Sequence, residues 1–550
     1  MPQHPTDEDV EVLHAVAPLG SSWSSINLAE AVPGVMTPLT ASAWVPASET
    51  GLRLPFHAMG VLETARKEIP ADPADRITNA FFGRMAVRVD FLCEIGDLVP
   101  GQSGEALSRD FFGYVPPGYE SNPSLRRVPF ILARYPRTLA TIARRVEDLR
   151  ARTDAWWRVE IARMDTLDLA ASQRLVVEAD RRFAESLAAQ ALISAAAIQP
   201  IQEHLDKLAQ SAGVDGSALL RGTPHEESAV LGDLWLVSRG TLSLDEFLRR
   251  HGYHGPGEGE VATRVWREDP EPVRRIVAQY AAKPDHEAPD ARHADHRAER
   301  ERAEAAVMAT AGGAAGRLKA RLVLRLARRF IPLRGVGKVS YLQSLDVLRG
   351  AARRVGADLV AADRLDHADD TTYLTVQELG DPFLRYRPDL RATVDARKLQ
   401  RREFQQLTVP SAWTGQPVPQ EVVVADDPAG ALALAGIGAC PGVVEGRVVV
   451  AHDPSNVEIE EGDILVAHTT DPAWVSLMFL SGALVVDIGG LMSHAAVVAR
   501  ELDIPCVMNT GTGTRVLRDG DLVRVDGRAG TVEVLERASL TTTHPEGVTA

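Results

Sequence analysis

Gly489-Gly490-Leu491-Met492-Ser493-His494-Ala495-Ala496-Val497-Val498-Ala499-Arg500-Glu501 sets one histidine behind a glycine-rich turn and at the head of a helix-forming run. The preceding Gly482-Ala483-Leu484-Val485-Val486-Asp487-Ile488 contains an apolar stretch that reads as a buried strand. Ser493 is placed to cap a helix that runs to about Asp503, where Ile504-Pro505 stops it. The sequence therefore predicts strand, glycine turn and helix in succession. A helix N-terminus presents unpaired N–H groups and the positive end of the macrodipole, so a dianionic phosphoryl group at His494 would be stabilised there. A neutral imidazole is also a competent nucleophile near neutral pH. The plainer alternative is a histidine that only caps a helix in a small α/β domain.

The 550-residue chain is long enough for several domains, and 45% hydrophobic with 25% charged residues is ordinary for a soluble globular protein. A formal net charge of −15 argues against nucleic acid as a partner, because that binding draws on clustered basic residues. One basic stretch, Arg317 to Arg329 with Lys319, Arg321, Arg325 and Arg328 at near-helical intervals, reads as a solvated helix face. No apolar run reaches bilayer length, and Met1-Pro2-Gln3-His4-Pro5-Thr6-Asp7-Glu8 lacks the regions of a secretory signal. A cytoplasmic protein without membrane association is expected. Cys93, Cys440 and Cys506 have no metal-ligand spacing and read as free thiols.

Between Pro136 and Gln210, apolar positions at three- and four-residue intervals, such as Leu139, Ile142, Val146 and Leu149, predict long amphipathic helices. Pro284 to Glu304 is dense in charge. Its His286, His293 and His296 lie on a charged surface with no second ligand cluster, so no metal is expected there. Gly312-Gly313 and Gly335-Val336-Gly337-Lys338 are too short for a nucleotide loop and read as breaks between helices. Val409 to Ala431 turns rich in Pro, Asp and Gly and reads as a linker; the residues from Thr541 onward read as a disordered tail.

Several blocks extend the opening motif: Gly438-Ala439-Cys440-Pro441-Gly442-Val443-Val444-Glu445-Gly446-Arg447-Val448, Gly462-Asp463-Ile464-Leu465-Val466, Thr470-Asp471-Pro472-Ala473-Trp474, and Gly520-Asp521-Leu522-Val523-Arg524-Val525-Asp526-Gly527. Together with the His494 segment they resemble the mobile phosphohistidine domain of the phosphoenolpyruvate-utilising family, which includes phosphoenolpyruvate synthase and rifampicin phosphotransferase. The resemblance implies that His494 carries phosphate between distant sites, with Gly489, Gly490, Ser493, Thr470 and Arg500 near it. Upstream, Ser25 to Thr40, with Thr37 and Pro38, resembles the start of the rifampicin phosphotransferase substrate domain, and Asp366 to Leu379 its end. The resulting expectation is a multidomain α + α/β protein. It comprises a flexible N-terminus over 1–14, a mainly helical substrate-binding domain over 15–425, a hinge over 426–435, a swivelling β/α phosphohistidine domain over 436–537 and a disordered tail over 538–550.

Gly252-Tyr253-His254-Gly255-Pro256-Gly257-Glu258-Gly259-Glu260, followed by Arg264 and Trp266, is a tight loop that gathers two carboxylates and a histidine. Glu258, Glu260 or His254 could serve as general base on a substrate hydroxyl; the plainer alternative is a glycine-rich corner with solvated acids. This block is similar to another family signature. The family pattern has arginine where this chain has His254, aspartate where it has Glu260, and Pro-Arg where it has Arg264-Val265, so the acceptor site is expected to be altered. Loss of a guanidinium removes a bidentate phosphate clamp that histidine does not reproduce.

Family enzymes charge the histidine through an ATP-grasp domain or a phosphoenolpyruvate-binding barrel, and this chain leaves room for neither. The resemblance therefore implies a separate ATP-grasp partner that brings ATP and Mg²⁺, with no cofactor or metal held tightly by this chain. The expected reaction is phosphorylation of a hydroxylated, hydrophobic small molecule. The alternatives are a phosphorylation-dependent dehydratase or cyclase of secondary metabolism, and a non-catalytic binding module.

Overall fold

The computed structural model describes residues 12–538 except 33, 113, 215, 221–225, 289–292, 422–432, 453–456, 458, 461, 471–473 and 491–492. Residues 1–11 of the expected flexible N-terminus, 422–431 of the expected linker and 539–550 of the expected tail thus lie outside the described residues. The chain divides into two units, Met1–Val423 and Val424–Ala550.

The first unit is mainly helical and carries a small sheet that hydropathy alone does not announce. Its strands are β1 (Ser22–Ser24), β2 (Thr78–Phe81), β3 (Arg84–Arg88) and β4 (Ala412–Thr414), in the order β2-β3-β1-β4. The N-terminal segment expected to be flexible over 1–14 is anchored at its end. Leu13 is buried, its carbonyl accepts from Gly83 N–H at 2.6 Å, and His14 Nδ1 lies 3.2 Å from Phe82 N–H.

The helices that position the site are α1 (Pro38–Ala58), α2 (Val128–Arg163), α3 (Leu169–Ile193), α4 (Glu226–Ser238), α5 (Leu244–His251) and α6 (Val336–Ala361). Helix α1 begins where Thr37 accepts from Thr40 N–H and Pro38 supplies the pre-set first-turn φ. Trp44 of α1, Phe183 of α3 and Tyr341 of α6 meet edge to face, with centroids 4.9 to 6.0 Å apart, in the largest apolar cluster. Gly337 lets α6 approach α3 closely, since a Cβ there would strike the Gln190 side chain. Helix α6 also buries a polar line of Ser340, Gln343, Ser344, Asp346 and Arg349, and this line touches the glycine loop described below.

The second unit is an eight-stranded sheet: β5 (Ala433–Ala435), β6 (Ile437–Cys440), β7 (Val443–Ala451), β8 (Ile464–Ala467), β9 (Ala483–Val486), β10 (Cys506–Met508), β11 (Leu522–Asp526) and β12 (Thr531–Glu536), in the order β5-β12-β11-β7-β8-β9-β10-β6. Strands β7 to β10 run parallel, and every residue of β8 and β9 is buried, as continuous apolar runs in parallel strands require. In β11 and β12 buried valines alternate with half-buried or exposed residues, the mark of strands with one solvated face. Residues 433–435, expected to belong to a hinge, pair with β12 and so form an edge of this sheet. Helix α7 (His494–Leu502) crosses from β9 to its parallel neighbour β10, a βαβ unit.

Candidate active site

The His494 turn leaves the carboxyl end of β9, the side on which open parallel sheets bind ligands. Ser493 adopts extended backbone angles and accepts from Ala496 N–H at 3.3 Å, so His494 is the first residue of α7. Gly489 has φ +141°, and a Cβ there would lie 2.5 Å from Met508 Cε. The turn thus needs glycine for its backbone angle and for space. Helix α7 ends on Asp503 in the left-handed region at φ 57°. The side chain of His494 lies outside the described residues.

The base of this turn is fixed by Asp487, which is 2% exposed. It accepts from Thr510 Oγ1 at 2.8 Å, from Gly513 N–H at 2.5 Å and from the backbone and hydroxyl of Thr514, with His468 Nδ1 3.5 Å away. Burial pushes this carboxyl upward, but the bonds from His468, Thr514 and Thr510 outweigh it and hold it below the usual carboxylate range. Of the remaining residues expected near His494, Thr470 is buried. Arg500 reaches Ala439 O at 3.4 Å, which ties α7 to β6.

In the first unit the glycine loop closes on itself: His254 N–H donates to His251 O, Trp266 N–H to His254 O and Arg267 N–H to Gly252 O. Gly255 and Gly259 have no room for a side chain, the latter lying against Ala31 O. The loop brings His254 and Glu258 together, with Nδ1 and Oε1 at 2.5 Å, and Glu258 Oε2 lies 3.4 Å from Lys338 Nζ at the start of α6. His254 is 3% exposed, packs on Tyr253 and Trp266, and has no partner for Nε2.

Glu260 is in a different environment. Its Oε1 accepts from Thr37 Oγ1 at 2.7 Å, Thr40 Oγ1 at 2.5 Å and Ala262 N–H at 2.9 Å, and its Oε2 accepts from Thr37 N–H at 2.9 Å. It therefore fastens the loop to the N-terminus of α1, where a carboxylate also suits the helix dipole. This geometry separates the two glutamates that the sequence set side by side as base candidates. Thr37 and Pro38 belong to that fastening, Trp266 is buried behind His254, and Arg264 is exposed. Glu260→Gln is expected to lower stability by about 1–3 kcal/mol, read as a shift in the urea midpoint, because the amide nitrogen cannot accept from Thr37 and Thr40.

The loop also rests on buried charge that sequence reading did not single out. Arg349 donates to Val261 O and Glu260 O at 3.1 Å, and Arg353 Nη2 to Ala262 O at 3.2 Å. Asp346, Arg349 and Arg353 fall three to four residues apart along α6, a periodicity that marks one helix face and was available in the sequence. Among the described residues no group of three or more His, Cys, Asp or Glu side chains is arranged to hold a metal, and no helix is long and apolar enough to cross a membrane.

Residues 459–530 match the PEP-utilising enzyme mobile domain, and residues 168–335 match the rifampicin phosphotransferase fourth domain. An uncharacterized protein of Mycobacterium tuberculosis is 32% identical over 361 residues, 64% of this chain and 36% of that protein. The rifampicin phosphotransferase of a Streptomyces species is 37% identical over 216 residues, 39% of this chain and 25% of the relative. The phosphoenolpyruvate synthase of Aeropyrum pernix is 47% identical over 116 residues, 21% of this chain and 14% of the relative. Each match thus spans little more than a third of the relative's length or less. By these matches residues 459–530 are similar to the mobile domain of the phosphoenolpyruvate-utilising enzymes, and residues 168–335 to the rifampicin phosphotransferase fourth domain.

Proposed function

We propose that the protein is a phosphotransferase in which His494 carries a phosphoryl group to a hydroxyl of a small molecule held by the helical unit. The observation that carries this reading is the position of His494: first residue of a Ser493-capped helix, behind a turn that demands glycine, within residues that match the mobile domain. Free N–H groups at that helix start stabilise a phosphoryl dianion on the imidazole. The similarity to rifampicin phosphotransferases supports a hydroxylated, hydrophobic acceptor.

We assign the donor step to an ATP-grasp protein acting in trans, with ATP and Mg²⁺ on that partner. The protein would act in the cytoplasm, where ATP is available.

Intact mass after incubation with ATP, Mg²⁺ and an ATP-grasp protein encoded nearby tests this reading. An acid-labile phosphate that depends on the second protein is expected. Absence of phosphate under all conditions would overturn it. A product lighter than substrate by water, with phosphate released, would instead identify a dehydratase or cyclase that uses the same histidine.

A further inference from the structure

We propose that His254 is the proton acceptor for the attacking hydroxyl, with Glu258 and Lys338 as its positioning residues, and that Glu260 takes no part in proton transfer. The inference rests on the phosphotransfer reading and names the base within it.

A carboxylate offers about four lone-pair sites, and Glu260 receives four donors, from Thr37 N–H, Thr37 Oγ1, Thr40 Oγ1 and Ala262 N–H. Three of these donors fall on Oε1 and one on Oε2, so both oxygens already serve the fastening of the loop to α1. Glu258 has one oxygen on His254 Nδ1 at 2.5 Å and the other 3.4 Å from the Lys338 ammonium. An ionised carboxylate only accepts, so it is matched by a ring proton on Nδ1, and in the neutral ring that tautomer leaves Nε2 as a bare lone pair. Lys338 sets a positive charge beside the second oxygen of Glu258, on the side away from His254 Nδ1. The result is an imidazole oriented by an acid, with its basic nitrogen unclaimed, the arrangement that activates hydroxyls in acyl-transfer triads.

Nε2 of His254 is buried and has no partner. A buried acceptor without a donor is a cost that packing gives no reason to retain, and a ligand hydroxyl removes it. His251, three residues earlier, repeats the pattern. Its Nε2 bonds Asp233 Oδ2 at 2.9 Å, its buried Nδ1 has no partner, and its ring stacks with that of His254 at 6.4 Å. Burial pushes His251 down to about 4 despite Asp233, so it is neutral at physiological pH. The unpartnered Nδ1 of neutral His251, beside the unpartnered Nε2 of His254, calls for a donor, which favours an alcohol over a carboxylate or phosphate as the group received here. In the transfer, the hydroxyl oxygen bonds to phosphorus and the N–P bond to His494 breaks. Its electron pair returns to that imidazole, and the hydroxyl proton passes to His254 Nε2.

The test uses the full chain with ¹⁵N-labelled histidine and two readouts. First, ¹⁵N shifts and couplings of His254, assigned by difference from His254→Asn, should show Nδ1–H with a bare Nε2 in the wild type. In Glu258→Gln this preference should relax toward a mixture. The opposite tautomer in the wild type, or no change in Glu258→Gln, would overturn the arrangement. Second, discharge of phosphorylated His494 is followed from samples already charged, with water and with rifampicin as hydroxyl probes. His254→Asn should discharge on the order of 10²-fold more slowly, and Lys338→Met should slow discharge in the same direction. Equal discharge rates would overturn the base assignment alone. Failure of the wild type to charge at all would overturn the phosphotransfer reading beneath it, while the tautomer readout still decides the His254–Glu258 arrangement.

Discussion

His494→Asn abolishes phosphorylation and transfer, by on the order of 10⁴-fold or more, and leaves stability within about 1 kcal/mol of wild type: this is the expected result of removing a nucleophile while sparing its frame. The frame is made by other residues. The helix start is made by Ser493, whose side chain accepts from Ala496 N–H, and the turn before it by Gly489 and Asp487. Asparagine at the first helical position keeps a polar, hydrogen-bonding side chain and contributes no group able to form the N–P bond. Acid-labile phosphate by intact mass and a urea midpoint on the same preparations separate the two effects. Retained phosphate in the variant would mean that another residue carries it. Loss of several kcal/mol with unchanged phosphorylation would make position 494 a structural helix cap.

The mobile domain was legible in the sequence because its cues are local. The apolar run of β9, the glycine pair, the Ser493 cap and the Ile504-Pro505 stop fall within about one supersecondary unit, and the observed strand and helix follow them closely. The candidate site in the helical unit was legible only in part. Tyr253 to Glu260 marks a tight loop, yet the different positions of Glu258 and Glu260 depend on Thr37 and Thr40, more than two hundred positions earlier, and on Lys338, far downstream. Hydropathy carries no record of such pairings. The same holds for the small sheet, where Trp23 of β1 pairs with Trp413 of β4. At Leu13, the second described residue, burial among α1 and its neighbours is likewise a long-range fact that hydropathy does not record.

The second large effect is expected at Asp346→Asn, with about 3–5 kcal/mol lost from the helical unit. Asp346 is fully buried and accepts from Arg267 at 2.8 to 3.0 Å and from Trp157 Nε1 at 2.8 Å, with the Arg349 guanidinium 3.5 Å away. Asparagine fits the space but has no charge and one fewer accepting atom, so Arg349, itself fully buried, loses its countercharge. Burial already pushes Arg349 below its ordinary range, although Asp346 opposes the shift. The consequence reaches the candidate site, because Arg349 also holds the carbonyls of Glu260 and Val261. The variant should therefore loosen the glycine loop as well as lower the urea midpoint. Acid supplies an independent check. Burial raises the Asp346 carboxyl, but Arg267, Arg349 and Trp157 together hold it below its ordinary value. A depressed folded value means that its stabilisation is complete above about pH 4 and is lost as pH falls further, through the folded value. Wild-type stability should decline below about pH 4 more steeply than that of Asp346→Asn, the two curves converging in acid. Parallel curves, or a loss under about 1 kcal/mol at neutral pH, would show that the arginines find other partners and that packing of α6 against α2 and α3, rather than this charge, holds the loop.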